Sequence, residues 1–134
     1  MRAVLDTNVL LSASFVPGIC EVLLDVCLTS DDITIVTSEY ILAEFTLHGV
    51  GKFRAPATQV EAVATILRAR CDVVEPASVD PSAFSDADDL PILGTAVAGR
   101  ADCLVTGDQK LLQLREFRGV LILSPRHFYD RFCR

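Results

Sequence analysis

The stretch "VLDTNVLL", residues 4–11, sets an aspartate between two apolar runs. A charge in that position costs stability unless something compensates it. Val4 and Leu5 lead into Asp6, and Val9, Leu10 and Leu11 follow Asn8, so the first run reads as a strand over about 2–5 with Asp6 at its carboxyl end. Similar short, continuously apolar runs rich in β-branched residues recur at about 33–37 (ITIVT), 72–75 (DVVE), 102–106 (DCLVT) and 120–123 (VLIL). Runs of this kind are expected of strands buried on both faces.

Between the strands the periodicity predicts helices over about 16–28, 38–48, 56–70, 89–99 and 108–114, with a last one at 125–132. Ser38 followed by Glu39 reads as an N-cap with an acid in the first turn. Pro56 and Pro125 suit first-turn positions, and Gly99 falls where the fourth of these helices should stop. The segment 76–88, rich in Pro, Ser, Asp and Ala, reads as a loop. Strands alternating with helices predict an α/β fold, a parallel sheet of five strands between two helix layers, in a single domain spanning residues 1–134.

Bulk properties narrow the function. A 51% hydrophobic, 22% charged chain of 134 residues can bury a sizeable core and should fold. No apolar run approaches the roughly 20 residues that cross a bilayer, and no secretory leader is evident, so a cytoplasmic protein is expected. Five cysteines form no CxxC pair and the two histidines stand apart from them. A zinc site is therefore not expected, and buried thiols in a reducing compartment account for them. The net charge of −6 argues against a broad basic surface for nucleic acid, but not against a nuclease whose acids hold a metal. "HGVGKF" fails as a P-loop: Phe53 follows Gly51–Lys52 where Ser or Thr is needed, and Thr46 replaces the earlier glycine.

Parallel sheets place ligands beyond the carboxyl ends of their strands, where strand order reverses. Asp6 lies at such an end, and so does Asp108, after the fourth strand in "CLVTGDQKLL". Asp89 opens the helix before that strand, and Glu44 lies about one and a half turns into the helix after the second strand, beside a stripe of Ile41, Phe45 and His48. Each acid has a plainer explanation available. Asp108 could cap the next helix, Asp86 or Asp88 could take the place of Asp89, and Glu44 could be solvated. Four carboxylates gathered at one edge would raise one another's pKa values unless a cation neutralised them, and an all-oxygen donor set suits Mg²⁺ or Mn²⁺. Such an ion favours phosphodiester hydrolysis by an activated water.

"VLDTNVLLSA", "SEYILAEF", "DADDLPILGTAVAGRADCLVTGDQKLL" and "LILSPRHFYDRF" together resemble a PIN domain, most closely the VapC-like toxin components of bacterial toxin–antitoxin pairs. The resemblance covers essentially the whole chain. It implies strand order 3-2-1-4-5, Mg²⁺- or Mn²⁺-dependent cleavage of RNA, and a small antitoxin partner whose tail covers the acidic site. It also implies that two copies can pair along one groove. Carried onto this chain, it makes Asp6, Glu44, Asp89 and Asp108 the catalytic acids, with Asp6, Asp89 and Asp108 on the metal and Glu44 ligating or orienting the attacking water. Asn8 and Thr106 take positions that hydrogen-bond the carboxylates. Lys52, Arg54, Arg100, Lys110, Arg115 and Arg118 are the candidates for phosphate contacts, although a solvated surface explains each of them too. Gly94, inside the helix after Asp89, departs from the family's usual small residue, often alanine, and costs up to about 1 kcal/mol there. Two other readings compete with the ribonuclease: an inactive PIN-like interaction module, and a phosphoaspartate enzyme. The second would want D-x-D where Asp6-Thr7-Asn8 stands.

Overall fold

Six strands make one sheet in the computed structural model, which describes residues 1–134. They are β1 (Arg2–Leu5), β2 (Thr34–Thr37), β3 (Asp72–Val73), β4 (Cys103–Val105), β5 (Glu116–Phe117) and β6 (Val120–Leu123), in the order β3-β2-β1-β4-β6-β5. The five strands read from the sequence stand in the 3-2-1-4-5 order, all parallel. The sixth, β5, corrects the expectation of five: it is a two-residue edge strand antiparallel to β6. Arg118 (φ 48°) and Gly119 (φ 82°) turn the chain between them with φ positive at both positions, as a type I′ hairpin requires. An Arg-Gly pair is a weak form of that signal, and two residues are too few for alternation to show.

Seven α-helices flank the sheet: α1 (Thr7–Phe15), α2 (Ile19–Thr29), α3 (Glu39–Gly51), α4 (Ala57–Arg70), α5 (Leu90–Ala98), α6 (Gln109–Leu114) and α7 (Pro125–Phe128). The last runs on as a π-helical turn through Cys133. The helix expected over 16–28 is α2, which begins only after Pro17 and Gly18 (φ 149°), and α1, before that break, is a helix that was not expected. The sequence hides α1 because Thr7, Val9, Leu10, Leu11 and Ala13 are all buried, and a helix covered on most sides has no polar stripe to betray it. Ser38 does cap α3, its hydroxyl accepting from Ile41 N at 3.3 Å, and Pro125 does open α7, but Pro56 precedes α4 instead of opening it.

Leftward crossovers from β1 to β2 to β3 put α1–α4 on one face, and the rightward return to β4 puts α5 on the other, where it packs on β1, β2 and β4. Side chains from both faces merge into one hydrophobic cluster that includes Leu5, Leu10, Phe45, Leu93 and Leu104. No single helix is long and apolar enough to cross a membrane. The winding reverses between β1 and β4, so their carboxyl ends bracket the crevice where ligands of such sheets bind.

Gly94 has a packing reason. The Ala77 amide donates to the Gly94 carbonyl at 2.9 Å, and a β-carbon on residue 94 would overlap the Ala77 carbonyl oxygen. The missing side chain lets the loop before α5 lie directly on that helix.

Candidate active site

Asp6 is where β1 becomes α1 with no residue between. Its amide still pairs with the Val105 carbonyl of β4 at 2.9 Å, while its own carbonyl already accepts the helical amides of Val9 and Leu10. Backbone pairing on both sides leaves the side chain one direction, into a cleft of about 150 Å³ beyond the sheet edge. That space is smaller than the ~300–1,000 Å³ of pockets that engulf a drug-sized ligand. It suits an ion and a phosphate group, with the remainder of any polymer lying outside.

All four acids named from the sequence line this cleft, together with Thr7, Asn8, His48 and Lys52. Asp6 is 4% exposed, and both its oxygens are engaged: Oδ1 accepts from Thr7 N at 2.7 Å and Oδ2 from the Thr106 hydroxyl at 2.7 Å. The Thr106 oxygen in turn accepts from Asp108 N at 3.0 Å, so a short relay ties Asp108 to Asp6. Asp108 also caps α6, Oδ1 accepting from Lys110 N at 2.8 Å, and its Oδ2 has no protein partner. Its plainer role and its place in the cleft therefore coexist. Glu44 Oε1 accepts from the Thr7 hydroxyl at 2.8 Å. The Tyr40 hydroxyl donates to the Asp88 carbonyl at 2.8 Å, with Glu44 Oε2 at 3.3 Å as its more distant acceptor.

Asp86 caps the 3₁₀ turn Ala87–Asp89, accepting from Asp88 N at 3.1 Å. This leaves Asp89 free of capping duty at the head of α5, and its Oδ2 is buried with no hydrogen-bond partner. The other such atom in the chain is Thr37 Oγ1, at the carboxyl end of β2. A buried, unpartnered carboxylate oxygen costs free energy as an anion and calls for a proton or a cation.

The electrostatics agree. Burial raises the Asp6 carboxyl, against the lowering effect of Thr106 and Thr7, and the charges of Glu44 and Asp108 raise it further. Asp89 is pushed up to about 7, first by burial and then by Asp6, Asp86, Asp108 and Glu44. Burial, and then the charges of Glu44, Asp88 and Asp89, push Tyr40 up to about 12, so its hydroxyl keeps its proton and can donate. No salt bridge reaches any of the four acids.

A hard divalent cation fits this donor set: every candidate ligand is oxygen, and Asp89 presents a buried oxygen with nothing bound to it. As the side chains stand, no three of them are gathered closely enough to ligate one ion, so binding would require rotamer changes.

The remaining candidates divide. Asn8 lies exposed on the cleft and makes no side-chain hydrogen bond to a carboxylate. Lys52 lines the cleft, and Lys110 follows Asp108 on α6 outside it. Arg54 is exposed beyond the end of α3. Arg100 is at the opposite edge of the sheet, next to Gly99, whose carbonyl accepts from Arg2. Arg115 flanks the β5–β6 hairpin, and Arg118, in its turn, lies over the Phe117 ring. Sequence reasoning missed Thr7 and Tyr40. Their partners lie 37 and 48 residues away, and only their place beside other candidates marked them.

None of the curated proteins matches the chain. Among solved structures, a chain of VapBC2 from Rickettsia felis, bound to a DNA fragment from their promoter, is 20% identical with a TM-score of 0.63, over 92% of this chain and 98% of that one. A chain of VapBC-1 from nontypeable Haemophilus influenzae is 19% identical with a TM-score of 0.61, over 94% of this chain and 99% of that one. At such identities the likeness shows the fold. The family model described as "PIN domain" matches residues 2–110, which takes in Asp6, Glu44, Asp89 and Asp108. The chain belongs to the PIN domain family.

Proposed function

We propose that the protein is a divalent-metal-dependent endoribonuclease, the toxin of a toxin–antitoxin pair. The observation that carries this reading is the cleft itself. Four carboxylates from separate parts of the chain face it, and none forms an ion pair.

Asp6, Asp89 and Asp108 would hold Mg²⁺ or Mn²⁺, which supplies an activated water and stabilises charge on the phosphoryl oxygens when bound. The chain's own residues supply the positioning. Thr106 and the Thr7 amide fix both oxygens of Asp6. Thr7 holds one oxygen of Glu44, and the other, within 3.3 Å of the Tyr40 hydroxyl, would orient the attacking water. Tyr40 joins α3 to the turn that presents Asp89. RNA as substrate and a small antitoxin as partner are in keeping with family membership and with the VapBC complexes whose fold the chain shares, and a cytoplasmic setting is part of the same proposal.

The test is cleavage of a labelled single-stranded RNA panel with Mn²⁺, with Mg²⁺ and with EDTA, alongside Asp6→Asn, which keeps the shape and removes a charge. Metal-dependent cutting should fall by at least about 10³-fold in Asp6→Asn, the equivalent of several kcal/mol of lost charge stabilisation. Folded protein that neither cuts RNA nor binds metal would instead be an inactive interaction module.

A further inference from the structure

Besides its carboxylates, the cleft presents two basic residues. Glu44, His48 and Lys52 fall at i, i+4 and i+8, one face of α3, and all three line the cleft. Lys52 ends that helix, its amide donating to the His48 carbonyl at 2.8 Å.

Neither side chain is committed to another part of the protein: no salt bridge and no side-chain hydrogen bond involves either. Most other arginines are engaged. Arg2 pairs with Asp72, Arg68 with Glu39 and Arg134 with Asp130, while Arg70 donates to the Leu28 carbonyl. Arg118 and Arg131 lie over phenylalanine rings. A cation in a helix's last turn offsets its terminal carbonyls. That effect explains why a basic residue is there, but not why both stand on the face that carries Glu44.

We propose that His48 and Lys52 form a phosphate track along α3, holding the backbone of single-stranded RNA on one flank of the acidic centre. The proposal rests on the ribonuclease reading and adds the direction in which the substrate runs. An acidic chain with acids crowded in its cleft repels a polyanion, so local cations are needed to hold the strand beside them. Lys52 supplies a charge, and His48 supplies an N–H donor in either protonation state. Eight residues of helix separate Glu44 from Lys52 by about 12 Å. The two basic residues therefore meet phosphates beside the reacting one. On the opposite flank no basic residue lines the cleft. The grip is one-sided: the strand leaves the acids along α3 toward its carboxyl end.

The experiment measures binding separately from cutting. Fluorescence anisotropy of a labelled single-stranded RNA in EDTA, over a range of KCl concentrations, compares wild type, His48→Gln, Lys52→Gln, the double variant, Lys52→Arg and, as a control at the far edge, Arg100→Gln. Each single track variant should weaken binding about fivefold and the double at least tenfold. Lys52→Gln should lower the salt slope by about one, while Lys52→Arg and Arg100→Gln stay near wild type. Melting temperatures verify that each variant is folded. Wild type that cuts RNA in Mn²⁺ while the double variant binds as tightly would overturn the track and leave the ribonuclease reading standing. Binding lost in the double variant from a wild type that cuts no RNA in any metal would uphold the track and overturn the ribonuclease reading.

Discussion

The two edges of the sheet are built on opposite electrostatic plans. At the amino edge the Arg2 guanidinium pairs with Asp72 at 2.5 Å and donates to the Gly99 carbonyl at 2.7 Å. Asp102 accepts from the Arg2 amide at 2.8 Å, and the terminal ammonium donates to the Asp32 carbonyl at 2.7 Å. Each of these charges has a partner. At the carboxyl edge Asp6, Glu44, Asp89 and Asp108 face one cleft with no ion pair among them. Nothing about a β-sheet requires the contrast. One edge closes the fold, and the other keeps carboxylates exposed to one another at a cost in stability, as a site awaiting a counter-charge must.

The comparison breaks most visibly at Asp89. Its folded pKa, about 7, lies above its ordinary value of 3.8, so between those values the folded chain holds a proton that the unfolded chain has released. Stability from this group is therefore full below about pH 4 and lost as pH rises through 7. In EDTA, Asp89→Asn should melt above wild type by a few degrees at pH 8, and the gap should close toward pH 4. Millimolar Mn²⁺ should raise the wild-type melting temperature and leave the variant nearly unmoved. A variant no more stable than wild type at pH 8 would mean that the carboxyl edge carries no such cost.

A smaller effect is expected at Tyr40. Tyr40→Phe keeps the ring but removes the bond to the Asp88 carbonyl and the approach to Glu44. Turnover should fall about 10–100-fold with KM nearly constant, as when a group that orients a ligand is lost. Steady-state kinetics on one RNA substrate measures this, and a rise in KM at constant turnover would contradict it. The smallest effect belongs to the satisfied edge. The Arg2–Asp72 pair is 35% and 45% exposed, so water screens it, and Asp72→Asn should cost less than about 1 kcal/mol by urea unfolding. A larger loss would mean that the amino edge, too, is held together by charge.

How much of this could be read in advance follows from burial and reach. β1, β2 and β4 are covered on both faces and β6 fully on one and partly on the other, so their sequences are apolar runs that stand out between helices. The same covering conceals α1, where apolar residues on most sides erase the helical period. β5 is too short to show any period. At the site, Asp6 was conspicuous because a charge interrupts apolar runs, whereas Thr106 was marked only by the family resemblance. Thr7 and Tyr40 were silent. What they do depends on hydrogen bonds to Glu44 and Asp88, which exist only once α1, α3 and the 3₁₀ turn have docked. Gly94 was legible as a departure and not as a reason, since the reason is the Ala77 backbone 17 residues away, pressed against it.

The direct passage from β1 into α1 also decides where the chain can change length. One residue added between Leu5 and Thr7 would have to displace either the Asp6 amide from Val105 or the Asp6 carbonyl from Val9 and Leu10, and would turn the Asp6 side chain away from the cleft. At Pro17–Gly18 or Gly119 the backbone is exposed and turning, so an added residue there would be absorbed with little disturbance. Insertions and deletions should therefore be tolerated around the far loops and rejected at the strand–helix junction, where the register of Asp6 is set by hydrogen bonds on both sides.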